Sequence, residues 1–308
     1  RVNKEEIEMD LNYAIVGDNI YKKYKGFTLD IPQLAIPQGF ATALIGENGA
    51  GKTTLMNILA GIRLDYKGEL RYFGAYNDKD RENKPEVKEQ IGYTGPGSYY
   101  LPQWKIKQVE SVSELLFSNF HKDRFEQWLN ELSVGADSNY LGKKVNSLSD
   151  GNRMKLMIAG VLARDTKMLL MDEPASPLDP LMRDRLCDLI REYLIEEEGK
   201  RTVFFSTHNI ADMENVTDYA IIMSHGQIAE AGFVEDLKEK YVMVKGEVKD
   251  LACAQKVLYS IHSTKYGYEG ICLSEKLDEL AGCDISVETA SLSQISVAIM
   301  KHFASNAK

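Results

Sequence analysis

A chain of 308 residues, 44% of them hydrophobic and 27% charged, has room for one substantial α/β domain with additions, or for two domains. A formal charge of -9 argues against nucleic acid as a partner. No apolar run approaches the ~20 residues that span a bilayer, and the opening RVNKEEIEMD is too charged for a signal peptide, so the expectation is a cytosolic protein. Its four dispersed cysteines, Cys187, Cys253, Cys272 and Cys283, are then expected to be reduced, and either buried or incidental.

From Tyr13 to Phe40, apolar and polar residues alternate and are interrupted by Gly26, Pro32, Pro37 and Gly39, the pattern of short antiparallel strands. Tyr24 ends the first of these. Its ring either packs on a neighbouring strand or stacks under a purine.

The stretch ATALIGENGAGKTTLMNILA, residues 41–60, places an apolar strand, a glycine-rich turn and a helix in succession. GENGAGKT at 46–53 fits the G-x-x-x-x-G-K-[ST] loop, whose backbone N–H groups cradle the phosphates of a nucleotide. Gly46, Gly49 and Gly51 allow positive φ and close approach; with Glu47, Asn48, Ala50 and Thr54 they supply a backbone nest for anions. Lys52 would neutralise β and γ oxygens, the Thr53 hydroxyl would ligand Mg²⁺, and the helix N-terminus adds its partial positive charge.

KGELRYFGAYND then reads as a hairpin edge, and DKDRENKPEVKE as an exposed connection. The strand from Ile91 breaks into a loop at Gly95, Pro96 and Gly97. Helical spacing follows from Lys107 to about Leu132. Ser147 or Ser149 can cap a helix whose buried face is Met154, Ile158, Val161 and Leu162. That helix leads into the strand KMLLM, which delivers Asp172 and Glu173 at its carboxyl end. Asp172 would hold Mg²⁺ through water and Glu173 would take or polarise the attacking water. Asp179 and Pro180 open another helix. The strand TVFFS ends at Thr207 and His208; the histidine is either structural or, beside the two acids, a contact to the γ-phosphate.

Together these residues resemble the ATPase subunit of an ATP-binding cassette (ABC) transporter over about 12–241, because the motifs occur in the family's order: GENGAGKT, LSDGN, MLLMDEP, SPLD and STH. The resemblance implies an α/β P-loop NTPase core with an antiparallel β subdomain and a helical subdomain. It divides the chain into a nucleotide-binding domain, 1–241, with a helical insert at about 98–165, and a small C-terminal α+β accessory extension, 242–308. It implies ATP and Mg²⁺ as ligands, a transmembrane permease subunit as partner and a head-to-tail pair of cassettes, as a homodimer or with a relative. Ser149 and Gly151 of one copy would cover the ATP held by the other, Tyr24 would stack on adenine, and Asp179 would belong to the loop between the copies.

The chain also departs from the family's pattern. Asp150 replaces a glycine of the signature and Asn152 a glutamine. A carboxylate at a helix N-terminus suits the dipole but repels a γ-phosphate, so weaker closure is expected unless Asp150 points away. The glutamine expected after IGYTG is displaced by Pro96, leaving Gln103 as the nearest candidate metal contact. The overall pattern, and the final SLSQISVAIMKHF, resemble exporters of drugs, bacteriocins or amphipathic peptides working at the cytosolic face of the membrane.

Overall fold

The computed structural model describes residues 12–97, 99–134 and 140–306. The charged N-terminal run, Ser98 and residues 135–139 of the expected helical insert lie outside the described residues.

The segment before the phosphate loop forms two long strands, β1 (Tyr13–Tyr24) and β2 (Phe27–Pro37), paired antiparallel. They replace the several short strands expected from the prolines. Pro32 is tolerated because β2 lies at the edge of its sheet, where a missing N–H breaks no ladder to a further strand. The phosphate-loop strand β3 (Ala41–Gly46) and helix α1 (Lys52–Leu59) follow, then the hairpin β4 (Lys67–Tyr72) and β5 (Tyr76–Asn77), which completes a four-stranded sheet in the order β2-β1-β4-β5.

The charged run after it is largely exposed, as expected, but it is not irregular. It folds into short helices, Asp78–Asn83 and Pro85–Glu89, the first closed by a reciprocal capping box between Asn77 and Asp80. Arg81, 2% exposed, anchors this piece by donating from Nη1 to the Ile58 carbonyl and the Tyr72 hydroxyl. Sequence periodicity does not register an arginine whose partners lie on a preceding helix and strand.

Strand β6 (Ile91–Thr94) leads to α2 (Ile106–Leu116) and α3 (Lys122–Glu131), two helices where one helical stretch was expected, and then to α4 (Asp150–Leu162). After these come β7 (Met168–Asp172), α5 (Pro180–Ile195), β8 (Thr202–Thr207), β9 (Tyr219–Ser224), β10 (Gln227–Phe233) and α6 (Val234–Lys240). The central sheet runs β10-β9-β3-β8-β7-β6, parallel throughout except for β10. Every residue of β3, β7 and β8 is buried, which is why these strands read as unbroken apolar runs. β8 lies between β3 and β7, with Ile45 beside Thr207 and Asp172 beside Ser206. The loop after β3, the acids after β7 and the histidine after β8 therefore emerge along one edge, the position where parallel α/β sheets bind ligands.

One core cluster joins the antiparallel sheet to α1 and the central sheet through Leu29, Ile31, Leu55, Met56 and Phe204. A second, containing Phe125, Met154, Leu189 and Phe205, packs the helices against the other face.

The C-terminal residues build a third sheet, β12-β13-β11-β14, from β11 (Tyr241–Gly246), β12 (Tyr259–Ser263), β13 (Tyr268–Leu273) and β14 (Ile285–Thr289), followed by α7 (Leu292–Asn306). The central strands β11 and β13 coincide with VMVKGEV and GYEGICL, the two strand-like runs in this part of the sequence. The outer strands were not legible: β14 is mostly exposed, with only the short alternation of Ile285 and Val287 to mark it. Tyr241, Met243, Ile271, Leu292 and Ile295 join the same core cluster as the cassette's helices, so this extension packs as part of the main body.

Candidate nucleotide-binding site

The loop from Gly46 to Lys52 turns tightly out of β3. Gly49 and Gly51 have φ of +84° and +105°, values that a residue bearing Cβ adopts only with strain. Gly51 is further constrained because a Cβ there would lie 2.7 Å from Cζ of Phe27. Phe27 lines the cavity with Tyr24, with ring centroids 6.1 Å apart. Sequence reading singled out Tyr24 alone; nothing in the pattern of β2 marked Phe27.

The cavity, about 880 Å³, is lined by Tyr24, Phe27, Asn48, Gly49, Gly51, Lys52, Thr53, Thr54, Glu173 and His208 among others. Lys52, 5% exposed, donates from Nζ to the carbonyls of Gly46 at 2.8 Å and Glu47 at 3.2 Å, and lies 3.3 Å from Glu173 Oε1. The other carboxylate oxygen of Glu173 is 2.7 Å from His208 Nδ1. Glu173 itself has φ +52°, a left-handed conformation that lifts its side chain off the end of β7. The loop lysine, the strand-end acid and the strand-end histidine thus form one contiguous chain of polar contacts.

Asp172 is fully buried beneath them. Its Oδ1 accepts from the Ser206 hydroxyl, while its Oδ2 has no hydrogen-bond partner. Burial raises the Tyr93 phenol above its ordinary range, and the Asp172 charge adds to that rise. A buried carboxylate oxygen with no partner is costly unless it coordinates something, so the hard oxygen donors Asp172 and Thr53 fit Mg²⁺. When bound, that ion supplies charge neutralisation to phosphate oxygens.

The other expected residues fall into three groups. Ala50 is buried within the loop, and Gly46 and Glu47 serve through the carbonyls that hold Lys52. Ser149 caps α4, accepting from the Asn152 N–H at 3.3 Å; Gly151 packs where a Cβ would meet the Pro177 carbonyl at 2.8 Å; Asp179 caps α5 by accepting from Met182 N–H at 3.1 Å. None of these three lines the cavity of its own chain, whereas Asp150 and Arg153 beside them do. Gln103 is not brought to the site. It occupies an exposed turn, while Gly95 and Pro96 line the cavity in its place.

A parallel sheet that carries a phosphate loop, a buried metal-type acid and an adjacent general-base-type acid along one edge defines a nucleoside triphosphatase. The family model for ABC transporters matches residues 29–176. The tungstate uptake system ATP-binding protein TupC of Peptoclostridium acidaminophilum is 30% identical over 219 residues, which cover 70% of this chain and 97% of that protein. The energy-coupling factor transporter ATP-binding protein EcfA2 of Methanospirillum hungatei JF-1 is 30% identical over 233 residues, 74% of this chain and 55% of that protein. In fold, the chain is similar to the ATP-binding cassette MJ0796, solved as a dimer in a post-hydrolysis state with ADP and Pi, with a TM-score of 0.59, 21% identity and coverage of 71% of this chain and 98% of that one. The chain belongs to the ABC transporter ATP-binding family. It is an ATPase that uses ATP with Mg²⁺.

Proposed function

We propose that the chain is the nucleotide-binding subunit of a transporter whose membrane part is a separate chain, and that two such cassettes close on ATP at the cytoplasmic face of the cell membrane. The convergence of Lys52, Glu173 and His208 on one cavity, with Asp172 buried beneath them, carries this reading. Among the described residues no helix is long and apolar enough to cross a membrane.

In this mechanism the phosphate groups displace Lys52 from the Gly46 and Glu47 carbonyls and draw its ammonium away from Glu173. The freed Glu173 carboxylate then accepts a proton from the attacking water. His208 keeps Glu173 turned toward the cavity and meets the γ-phosphate. Tyr24 and Phe27 hold the base between apolar faces. Thr53 and the free oxygen of Asp172 would hold the metal, which would neutralise charge on the phosphate oxygens. Ser149 and Gly151 of the partner cassette close the cavity and exclude water, and loss of the γ-phosphate reopens it.

Direction and cargo are the finer part of the proposal. Export of a drug or amphipathic peptide rests on the resemblance of the final helical segment and the overall pattern to exporters. Uptake is the second reading, favoured by the name of TupC, a tungstate uptake system ATP-binding protein. Co-purification of the tagged chain with a membrane protein, followed by transport measured in vesicles with the cassettes facing inward or outward, separates the two. A chain that captures no membrane protein and whose nucleotide turnover moves no cargo contradicts both.

A further inference from the structure

Ser206 is fully buried and neighbours Asp172 across the parallel β7–β8 pair. Its hydroxyl has two partners, both on the adjacent strand end. It donates to Asp172 Oδ1 at 2.5 Å and accepts from the Glu173 backbone N–H at 3.0 Å. A hydroxyl has one proton to give, and an ionised carboxylate only accepts, so the direction of both bonds is fixed.

The hydroxyl has two consequences. With Oδ1 occupied, Oδ2 is the carboxylate oxygen of Asp172 left without a partner, and it is buried. The second bond holds the N–H of Glu173, whose φ of +52° is a conformation that persists in a residue with a Cβ only where its surroundings fix it. One side chain thus links the metal-type acid to the turn that aims the general-base-type acid at Lys52 and His208.

We propose that Ser206 is a positioning residue for both acids: it leaves one oxygen of Asp172 free for Mg²⁺ and holds Glu173 in the turn that presents its carboxylate. This rests on the nucleotide-site reading above. Ser206 itself touches neither the metal nor the nucleotide. Its influence on them runs through Asp172 and Glu173, so its loss leaves the phosphate loop intact and weakens the response to metal.

The test is a Mg²⁺ titration of AMP-PNP binding, with parallel binding in EDTA, on the full chain carrying Ser206→Ala, Ser206→Thr, Asp172→Asn, or Asp172→Asn with Ser206→Ala. Ser206→Ala is expected to bind AMP-PNP like wild type in EDTA and to need about 10- to 100-fold more Mg²⁺ for half-maximal tightening. Ser206→Thr, which keeps the hydroxyl, is expected to recover most of that shift. The double variant is expected to need no more Mg²⁺ than Asp172→Asn alone, because the serine acts through the aspartate. A wild-type Mg²⁺ midpoint in Ser206→Ala, an equal loss of binding in EDTA, or additive effects in the double variant would overturn the proposal. A Mg²⁺ response unchanged in Asp172→Asn would instead remove the metal-site reading on which it stands.

Discussion

Asp150 and Arg153 form an ion pair one turn apart at the start of α4, and both side chains line the nucleotide cavity. The carboxylate that replaces the family's glycine is therefore answered within its own helix. Because the Asp150 side chain is 79% exposed, the pair adds little to folding stability; its effect is on the charge presented to whatever closes the cavity.

Removing the arginine exposes that charge. In a Glu173→Gln background, which blocks turnover, Arg153→Ala should weaken ATP-driven pairing of cassettes by about tenfold, as an unpaired carboxylate faces phosphate across a partly dewatered gap. Asp150→Gly combined with Arg153→Ala should restore it. Analytical ultracentrifugation with and without ATP reads both outcomes; a double variant as weak as Arg153→Ala alone would show that charge is not the cause.

The base should be held by two rings. Tyr24→Ala and Phe27→Ala are each expected to weaken binding of a fluorescent ATP analogue by about tenfold, the order of one lost aromatic stack on a base. Gly51→Ala should go further and abolish binding, since its Cβ would meet Phe27 at a φ of +105°. Equal affinities for Tyr24→Ala and wild type would place the base elsewhere.

The thiols should differ in reactivity in a way the sequence did not separate. Burial pushes the Cys187 thiol up to about 11, against a downward pull from Arg191, whereas Cys253 is exposed. Iodoacetamide at pH 8 should modify Cys253 first and leave Cys187 untouched until the chain unfolds. The folded-state rate at Cys187 should climb only as the pH approaches that value, which mass spectrometry of quenched samples measures.

The terminal helix should be needed for the stability of the cassette. Ile295 is 0% exposed within the main core, so Ile295→Ala is expected to cost about 2–5 kcal/mol in denaturant unfolding. A cost well below that range, or a separate transition for the last segment, would mean that α7 folds independently of the cassette.

The strands that carry the site were legible because β3, β7 and β8 are buried on both faces and so read as apolar runs ending in Gly46, Asp172 and Thr207. The phosphate loop, Glu173 and His208 were legible because short-range order along the chain places them at strand ends. Contacts that depend on register between distant strands were not legible. Ser206 reads as one more strand residue until β7 is laid beside it, and Phe27 reads as a strand aromatic until the loop folds over it. The helices at 78–89 were missed because their charged residues are satisfied by caps and by a buried Arg81 rather than by an apolar stripe. Gln103 was placed by analogy across a loop whose path the sequence does not determine, and it falls outside the cavity.

Glu173 lies between the lysine that meets phosphate and the histidine at the next strand end, so exchanging its charge for an amide tests the account most directly. Phosphate release from Mg²⁺-ATP should fall about 10²- to 10⁴-fold in Glu173→Gln, while ATP binding by equilibrium titration is retained or tightened as Lys52 is freed from its partner. Turnover at the wild-type rate, or loss of ATP binding together with turnover, would contradict the assignment of this cleft as the site of hydrolysis.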